Sequence, residues 1–147
     1  MGLSREETVA QVLDLQAQMM RSSMRHHSQT MVGANLTPVQ FHLLLFLHSH
    51  RGIPTAEAAD AMGVRANIAT GVVQRLVDRG WVAREPSPED GRVRLLSLTS
   101  EGDELVNQAV SEAEQGFIEH LNVLSDEQVE QLRGILQTFI DAGAAEG

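Results

Sequence analysis

The most constraining feature of the sequence is a pair of short helix patterns that meet at Gly63. Residues 56–62 are almost all small, which permits close helix packing, and Thr55 before them is predicted to cap that helix. A second helix is predicted over residues 65–79, with Gly80 after it at the position where a left-handed residue ends a helix. The inward-facing residues predicted for it are Ile68, Val72, Val73 and Leu76. Two helices joined by a glycine are typical of a helix-turn-helix.

A hairpin pattern follows the second helix directly. Residues 81–84 and 93–98 are suited to strands, and residues 86–91 between them are dense in turn formers. A hairpin in this place makes the unit a winged helix-turn-helix.

Helix patterns flank this unit on both sides. One long amphipathic helix is predicted over residues 4–31, and a second, buried nearly all round, over residues 38–50 with Thr37 as its N-cap. Residues 51–54 are predicted to form a turn. Thr99 and Ser125 are predicted to cap the last two helices. The expected fold class is mainly α with a small β-hairpin wing.

The cationic residues are concentrated in the middle of the chain, although the formal net charge is −9. Six arginines face four acids between residues 64 and 94, a balance of +2, whereas eleven acids face one arginine from residue 100 onward. All eleven cationic residues are arginine, the side chain that best contacts phosphate and guanine. A genome rich in G·C pairs would also explain the absence of lysine.

Several classes of protein are disfavoured by what the sequence lacks. With no cysteine, the chain has no disulfides, thiolate metal sites or thiol chemistry. The N-terminus lacks the apolar run of a secretory signal, and the longest apolar stretch, residues 41–47, is too short for a bilayer. We therefore expect a soluble, cytoplasmic protein without a membrane partner.

Three blocks of sequence together resemble the MarR family of bacterial regulators, across nearly the whole chain. They are residues 62–82, the motif Asp90-Gly91-Arg92, and residues 96–102. Each block is weak alone, but their order and spacing are specific. The resemblance implies one domain over residues 1–147, with a DNA-binding lobe over residues 36–99. It also implies dimerisation helices over residues 4–34 and 100–142.

The resemblance implies that the helix over residues 65–79 is the recognition helix, and the candidate DNA-binding residues lie opposite its apolar side. Arg65 could read guanine, and Asn67 or Gln74 could read adenine through paired hydrogen bonds. The other residues of this face are Ala66, Thr70 and Gly71. An ordinary solvated helix face is the alternative interpretation.

The resemblance assigns further DNA contacts to the wing. It implies that Arg92 enters the minor groove, whose narrow form concentrates negative potential, while Asp90 holds the arginine in place. A surface salt bridge between the two is the alternative. Candidate phosphate contacts are Arg75, Arg84 and Arg94, of which Arg75 could be structural instead.

Two residues depart from the family pattern in the recognition helix. Arg65 stands where the family usually has a small hydroxyl residue as the cap, and Gly71 where an arginine is common. The operator sequence of a relative therefore cannot be transferred to this chain.

The first helix and the last two are amphipathic and have little central core to cover, so we expect a second copy to cover them. In the resembled family these helices intertwine about a two-fold axis, which makes the DNA target a near-palindrome. Packing of the apolar stripe within the monomer is the alternative.

The resemblance also implies a cleft for a small aromatic or phenolic ligand. Its candidate lining residues are Met20, Met24, His27, His42 and Phe46. At this spacing methionines are more often core residues, and a histidine in a buried helix is more often a hydrogen-bonded core residue. No His-x-x-x-His pair occurs, so no metal site and no cofactor are expected.

Two other functions compete with a regulator. An enzyme is disfavoured because the sequence contains no nucleophile elbow, phosphate loop or paired catalytic carboxylates. A winged-helix protein that lost DNA binding and acts as a protein-interaction partner is motivated by the net acidity and by Gly71. We favour a sequence-specific double-stranded DNA-binding regulator, a ligand-responsive repressor acting as a homodimer.

Overall fold

A computed structural model describes residues 2–23 and 29–144, apart from the side chains of residues 20–23. The elements in chain order are α1 (Arg5–Ser23), α2 (Gln29–Gly33), α3 (Pro38–Ser49), β1 (Ile53–Pro54), α4 (Thr55–Met62), α5 (Ala66–Asp78), β2 (Val82–Pro86), β3 (Arg94–Leu98), α6 (Ser100–Leu121) and α7 (Asp126–Ala144). The predicted fold class, mainly α with a small β-hairpin wing, is confirmed. The chain divides into two compact units, one up to residue 110 and one from residue 111.

The N-terminal helical region was predicted as one helix over residues 4–31. The structure describes it as α1 and α2, and residues 24–28 between them lie outside the described part of the chain. A capping box begins α1: the Ser4 hydroxyl accepts from the Glu7 backbone at 3.2 Å, and the Glu7 carboxylate accepts from the Ser4 backbone at 2.7 Å. A hydrogen bond from the Ser4 backbone N–H, which is the larger cause, and one from the Ser4 side chain lower the pKa of the Glu7 carboxyl below its ordinary value.

The start of α3 agrees with the prediction that Thr37 is its N-cap. The Thr37 hydroxyl accepts from the Gln40 backbone N–H at 3.3 Å, and the Gln40 side-chain oxygen accepts from the Thr37 backbone at 3.0 Å. Pro38 occupies the first helical position, where its missing N–H costs nothing. The prediction that α3 is buried nearly all round is wrong: Val39 and His42 are exposed, whereas Leu43, Leu44 and Leu47 are buried.

Residues 51–54, predicted as a turn, contain a short strand. Ile53 and Pro54 pair antiparallel with Leu96 and Leu95 of β3, which gives a sheet of order β1-β3-β2. A strand of two residues is too short for an alternating pattern to reveal it. The prediction that Thr55 is the N-cap of α4 is wrong. The strand pairing keeps the chain extended through Pro54, so the helix begins one residue earlier than predicted. Pro54 is the N-cap without a side-chain hydrogen bond, and Thr55 is the first helical residue.

Gly63 joins α4 and α5 in the left-handed conformation, with φ of +63°. The predicted inward orientation of Ile68 is wrong, since this side chain is 49% exposed, and Ala69 is buried in its place. Positions 69, 72, 73 and 76 follow the helical repeat of three and four, whereas position 68 is rotated by about 100° from position 69. Gly80, with φ of +78°, follows the end of α5 as predicted.

The hairpin strands differ slightly from their predicted bounds: β2 begins one residue later and extends two residues further, to Pro86, whereas β3 begins one residue later, at Arg94. Val82 pairs with Leu98 at the base, and Pro86 pairs with Arg94 toward the tip. The apolar core of the first unit lies between this sheet and the helices α3, α5 and α6. Its largest fully buried side chains are Leu43, Leu44, Leu47, Val73, Leu76, Leu96 and Val106.

The start of α6 is fixed to the end of the recognition helix through Thr99. Its hydroxyl accepts from the Gly102 N–H at 3.1 Å, as predicted for an N-cap, and donates to the Gly80 carbonyl at 2.6 Å. The Thr99 backbone N–H donates to the Trp81 carbonyl at 3.0 Å. A Cβ on Gly102 would lie 2.2 Å from that same carbonyl oxygen, so only glycine fits this close approach.

The second unit contains the end of α6 and α7. Ser125 caps α7 as predicted: its hydroxyl accepts from the Gln128 backbone at 3.3 Å, and the Gln128 side chain accepts from the Ser125 backbone at 3.0 Å. No residue of α7 is buried. An apolar groove, called here the α6–α7 groove, is lined by Phe117, Leu121, Val129, Leu132, Arg133 and Leu136. Within the described ranges, no helix combines the length and apolarity needed to cross a membrane.

Candidate nucleic-acid interface

The exposed face of α5 carries the residues predicted to meet base edges. Arg65 is the N-cap of α5 in extended conformation, and its side chain makes no capping hydrogen bond. The solvent-exposed members of this face are Arg65, Ala66, Asn67, Thr70, Gly71 and Gln74. All six residues of this predicted face are therefore accessible to a partner.

The polar side chains of this face differ in whether they already have partners. The Thr70 hydroxyl donates to the Ala66 carbonyl one turn earlier at 2.8 Å. Gln74 is bonded at both ends of its amide, to Arg84 and to Asp78. The Asn67 side chain makes no hydrogen bond to any residue that the structure describes, so its amide is available to a ligand.

The wing presents Arg92 at its tip. The Arg92 side chain is 95% exposed, and its Nε lies 3.8 Å from the Asp90 carboxylate. The same carboxylate accepts from the Arg92 backbone N–H at 3.0 Å, and the Asp90 carbonyl accepts from the Val93 N–H at 2.9 Å. An exposed ion pair of this length contributes little stability, so Asp90 acts mainly on the shape of the turn.

The remaining arginines fall into two groups. Arg75 on α5 and Arg94 on β3 are exposed, and their guanidinium groups form no hydrogen bond or ion pair within the described residues. Arg84 on β2 is half-buried and donates to the Gln74 side-chain oxygen at 2.8 Å. Free cations suit phosphate contacts, whereas Arg84 is already engaged inside the protein.

Arg79 has a structural role that the sequence pattern did not indicate. Its guanidinium lies 3.9 Å from the centroid of the Trp81 ring and donates to the carbonyls of Ala34 and Asn35. Arg79 therefore ties the end of the recognition helix to the turn before α3. An Arg-x-Trp spacing after a helix is the only signal in the sequence that could have indicated this cation–π contact.

The predicted ligand cleft is largely outside the described part of the chain. Met24, His27 and the side chain of Met20 are not described. His42 and Phe46 lie one turn apart on α3, where His42 is exposed and Phe46 is half-buried. Phe46 stacks on His50, with ring centroids 4.4 Å apart. Among the described residues, no group of three or more histidine or acidic side chains is arranged to hold a metal ion.

Comparison with known proteins identifies relatives of this chain. The family model of the MarR family matches residues 36–93. The organic hydroperoxide resistance transcriptional regulator of Bacillus subtilis is 30% identical over 107 residues, which cover 73% of this chain and 71% of the relative. The crystal structure of RV1404 from Mycobacterium tuberculosis superimposes with a TM-score of 0.80 at 26% identity, covering 97% of both chains.

A more distant structure shares the fold. A mutant of MepR from S. aureus, solved bound to an oligodeoxyribonucleotide, has a TM-score of 0.69 and 20% identity, covering 89% of this chain and 96% of MepR. MepR has also been solved bound to ethidium bromide. These matches extend beyond the winged lobe to the flanking helices, and the regulators in the family are not enzymes. The chain belongs to the MarR family and is a DNA-binding transcriptional regulator.

Proposed function

We propose that the protein is a ligand-responsive repressor that binds a near-palindromic operator as a homodimer. The observation that carries this proposal is the pair of exposed cationic elements of the first unit. One is the start of α5 with Arg65 and Asn67, and the other is the wing tip with Arg92.

The dimensions and chemistry of these elements suit duplex DNA. The 13 residues of α5 span about 20 Å and would fit the major groove, with the residues of the first turns at the base edges. Arg92 at the wing tip would enter the adjacent minor groove. Arg75 and Arg94 would neutralise phosphates. The full proposed interface is Arg65, Ala66, Asn67, Thr70, Gln74, Arg75, Asp90, Arg92 and Arg94, with Arg84 behind it as the partner of Gln74.

Homodimerisation is supported by apolar surface that nothing in the described part of the chain covers. On α7, Phe139 and Ile140 are 67% and 65% exposed, beside the apolar lining of the α6–α7 groove. On α1, Val12, Leu13 and Leu15 are each more than half exposed. Apolar side chains left exposed on a helix are typical of a surface that binds another protein surface. We propose that residues 4–34 and 100–142 pair with a second copy, within a single domain over residues 1–147.

Repression and ligand response follow from how such a dimer would work. A dimer that covers two successive half-sites, about one DNA turn apart, blocks access to a promoter. A ligand that prefers the unbound form would weaken DNA binding by its differential affinity for the two forms. MepR, which shares the fold, binds ethidium, and we propose a small aromatic or phenolic ligand for this chain. Its action on chromosomal DNA would place the protein in the cytoplasm.

A binding selection tests the proposal. The purified full chain is presented with a random 24-base-pair duplex library at low ionic strength, and the enriched duplexes are sequenced. We expect a near-palindromic motif, bound by two protomers, whose affinity falls steeply with added salt. Enrichment of no sequence would contradict the proposal and leave a winged-helix protein that binds another protein.

The wing residue Arg92 provides a more specific test with the enriched duplex. We expect Arg92→Ala to weaken binding to all duplexes and to reduce the slope of log affinity against log salt by about 0.9 for each phosphate charge that the arginine neutralises in the parent. The matched control is Arg51→Ala, because the Arg51 guanidinium is paired with Asp103 at 2.6 Å outside the proposed interface. Equal loss of affinity in the two variants would show that the wing does not contact DNA.

A further inference from the structure

One side-chain cluster joins the recognition helix to the wing. Gln74 accepts a hydrogen bond from Arg84 Nη1 through its Oε1 at 2.8 Å, and donates one from its Nε2 to Asp78 Oδ1 at 2.7 Å. Arg84 lies on β2, and Asp78 is the last residue of α5, one turn after Gln74. These three residues are called here the Gln74 clamp.

The chemistry of the partners gives the Gln74 amide a single orientation. A guanidinium has only donors, so it must face the amide oxygen, and a carboxylate has only acceptors, so it must face the amide nitrogen. Rotating the amide by 180° would lose both hydrogen bonds, because the amide N–H would then face the guanidinium and the amide oxygen would face the carboxylate. The clamp therefore fixes which end of the amide points toward the wing.

The clamped amide keeps enough hydrogen-bonding capacity to read a base. An amide oxygen has two lone pairs and an amide nitrogen has two hydrogens, and the clamp uses one of each. The paired contact of glutamine with adenine needs one further acceptor and one further donor, at the N6 and N7 edge. Because the side chain is already ordered, it also loses less conformational entropy when DNA binds.

The position of Asp78 supports a role beyond helix stability. A carboxylate at the C-terminal end of a helix faces the negative end of the helix dipole, which is unfavourable. Asp78 is also in direct contact with Gln74 of the proposed DNA-binding face, where its negative charge would repel phosphates. Its hydrogen bond with Gln74 gives a reason for a side chain with an acceptor oxygen at this position.

We infer that Arg84 and Asp78 are positioning residues that orient Gln74 to read one base pair of each half-site. This inference rests on the proposed DNA-binding function and deepens it, because it assigns part of the sequence preference to residues that do not touch the base. It also means that Arg84 holds the Gln74 side chain and does not bind a phosphate.

The test compares sequence preferences of five variants in the random-duplex selection. We expect Gln74→Ala, Arg84→Ala and Asp78→Ala to relax discrimination at the same base pair by roughly tenfold. Asp78→Asn should keep the preference, because its amide oxygen still accepts from Gln74 although the charge is removed. Arg94→Ala, the matched removal of an unpaired arginine on the neighbouring strand, should lower affinity without changing the preference.

The outcomes separate this inference from the proposed function. If the parent chain enriches no sequence, both fail. If the parent enriches a motif that Gln74→Ala leaves unchanged at every position, the inference alone is overturned. It is also overturned if Arg84→Ala keeps the motif and reduces the salt slope as Arg94→Ala does, since Arg84 would then be a phosphate contact. Circular dichroism of each variant verifies the folded state.

Discussion

At the residue scale, Gly71 is the residue of α5 with the lowest intrinsic helix propensity. It lies in the interior of α5 with helical neighbours on both sides, and a Cβ there would meet nothing within 4 Å. Glycine costs a helix interior about 1 kcal/mol relative to alanine. Stability alone therefore does not explain a glycine at this exposed site.

We expect Gly71→Ala to raise the free energy of unfolding by about 1 kcal/mol and the melting temperature by roughly 2–4 °C. Thermal unfolding followed by circular dichroism measures both. The matched control is Gly63→Ala, which also has open space for a Cβ but a φ of +63°, and it should destabilise the protein. A lower melting temperature for Gly71→Ala would contradict the helical assignment of this residue.

Arg79 is a second single residue whose role can be tested, since its described partners all lie within the protein. We expect Arg79→Ala to lower the free energy of unfolding by about 1 kcal/mol, since the cation–π interaction is removed, and to change the emission of Trp81, the sole tryptophan. The salt slope of DNA binding should stay as in the parent. Arg75→Ala is the control, since removing this unpaired arginine should reduce the slope by about 0.9 for each phosphate that it neutralises.

At the element scale, the connection between α6 and the recognition helix depends on one close approach. Gly102 lies against the Trp81 carbonyl, and Thr99 bonds to both Gly80 and Gly102. Nearby, Asp103 accepts from Arg51 at 2.6 Å and lies 3.3 Å from His48 Nδ1, which adds the end of α3 to the same connection. A displacement of the start of α6 must therefore displace the end of α5.

We expect Gly102→Ala to lower the free energy of unfolding by about 1–3 kcal/mol, because its Cβ would lie 2.2 Å from a backbone oxygen that cannot move freely. Urea unfolding followed by circular dichroism measures the change. Gly116→Ala, on the same helix with open space around it, should be neutral or stabilising. Equal stability of Gly102→Ala and the parent would show that this approach is not close.

At the scale of the whole molecule, the decisive feature is the exposed apolar surface of α1 and α7. We expect Phe139→Glu to disrupt the proposed dimer and to weaken DNA binding, because a buried charge without a partner is costly. Analytical ultracentrifugation measures the mass. The control is Gln137→Glu, which adds the same charge about 200° around the helix. A dimer that tolerates Phe139→Glu would exclude this face of α7 from the interface.

The sequence by itself determined the order of the helices and the wing, because glycines, capping residues and apolar spacing are local signals. Thr37, Thr99 and Ser125 were identified as caps for this reason, and the exposed face of α5 followed from helical periodicity. The three sequence blocks identified the family because their order and spacing are specific together.

Only the tertiary structure decided which side chains meet across elements. The pairing of β1 with β3 moved the start of α4 past Pro54, and the packing of α5 buried Ala69 while exposing Ile68. The hydrogen bond of Gln74 with Arg84 joins residues ten positions apart on a helix and a strand, and that of Arg79 with Ala34 spans 45 positions. Such interactions depend on how the elements pack in three dimensions, which no periodicity along the chain encodes.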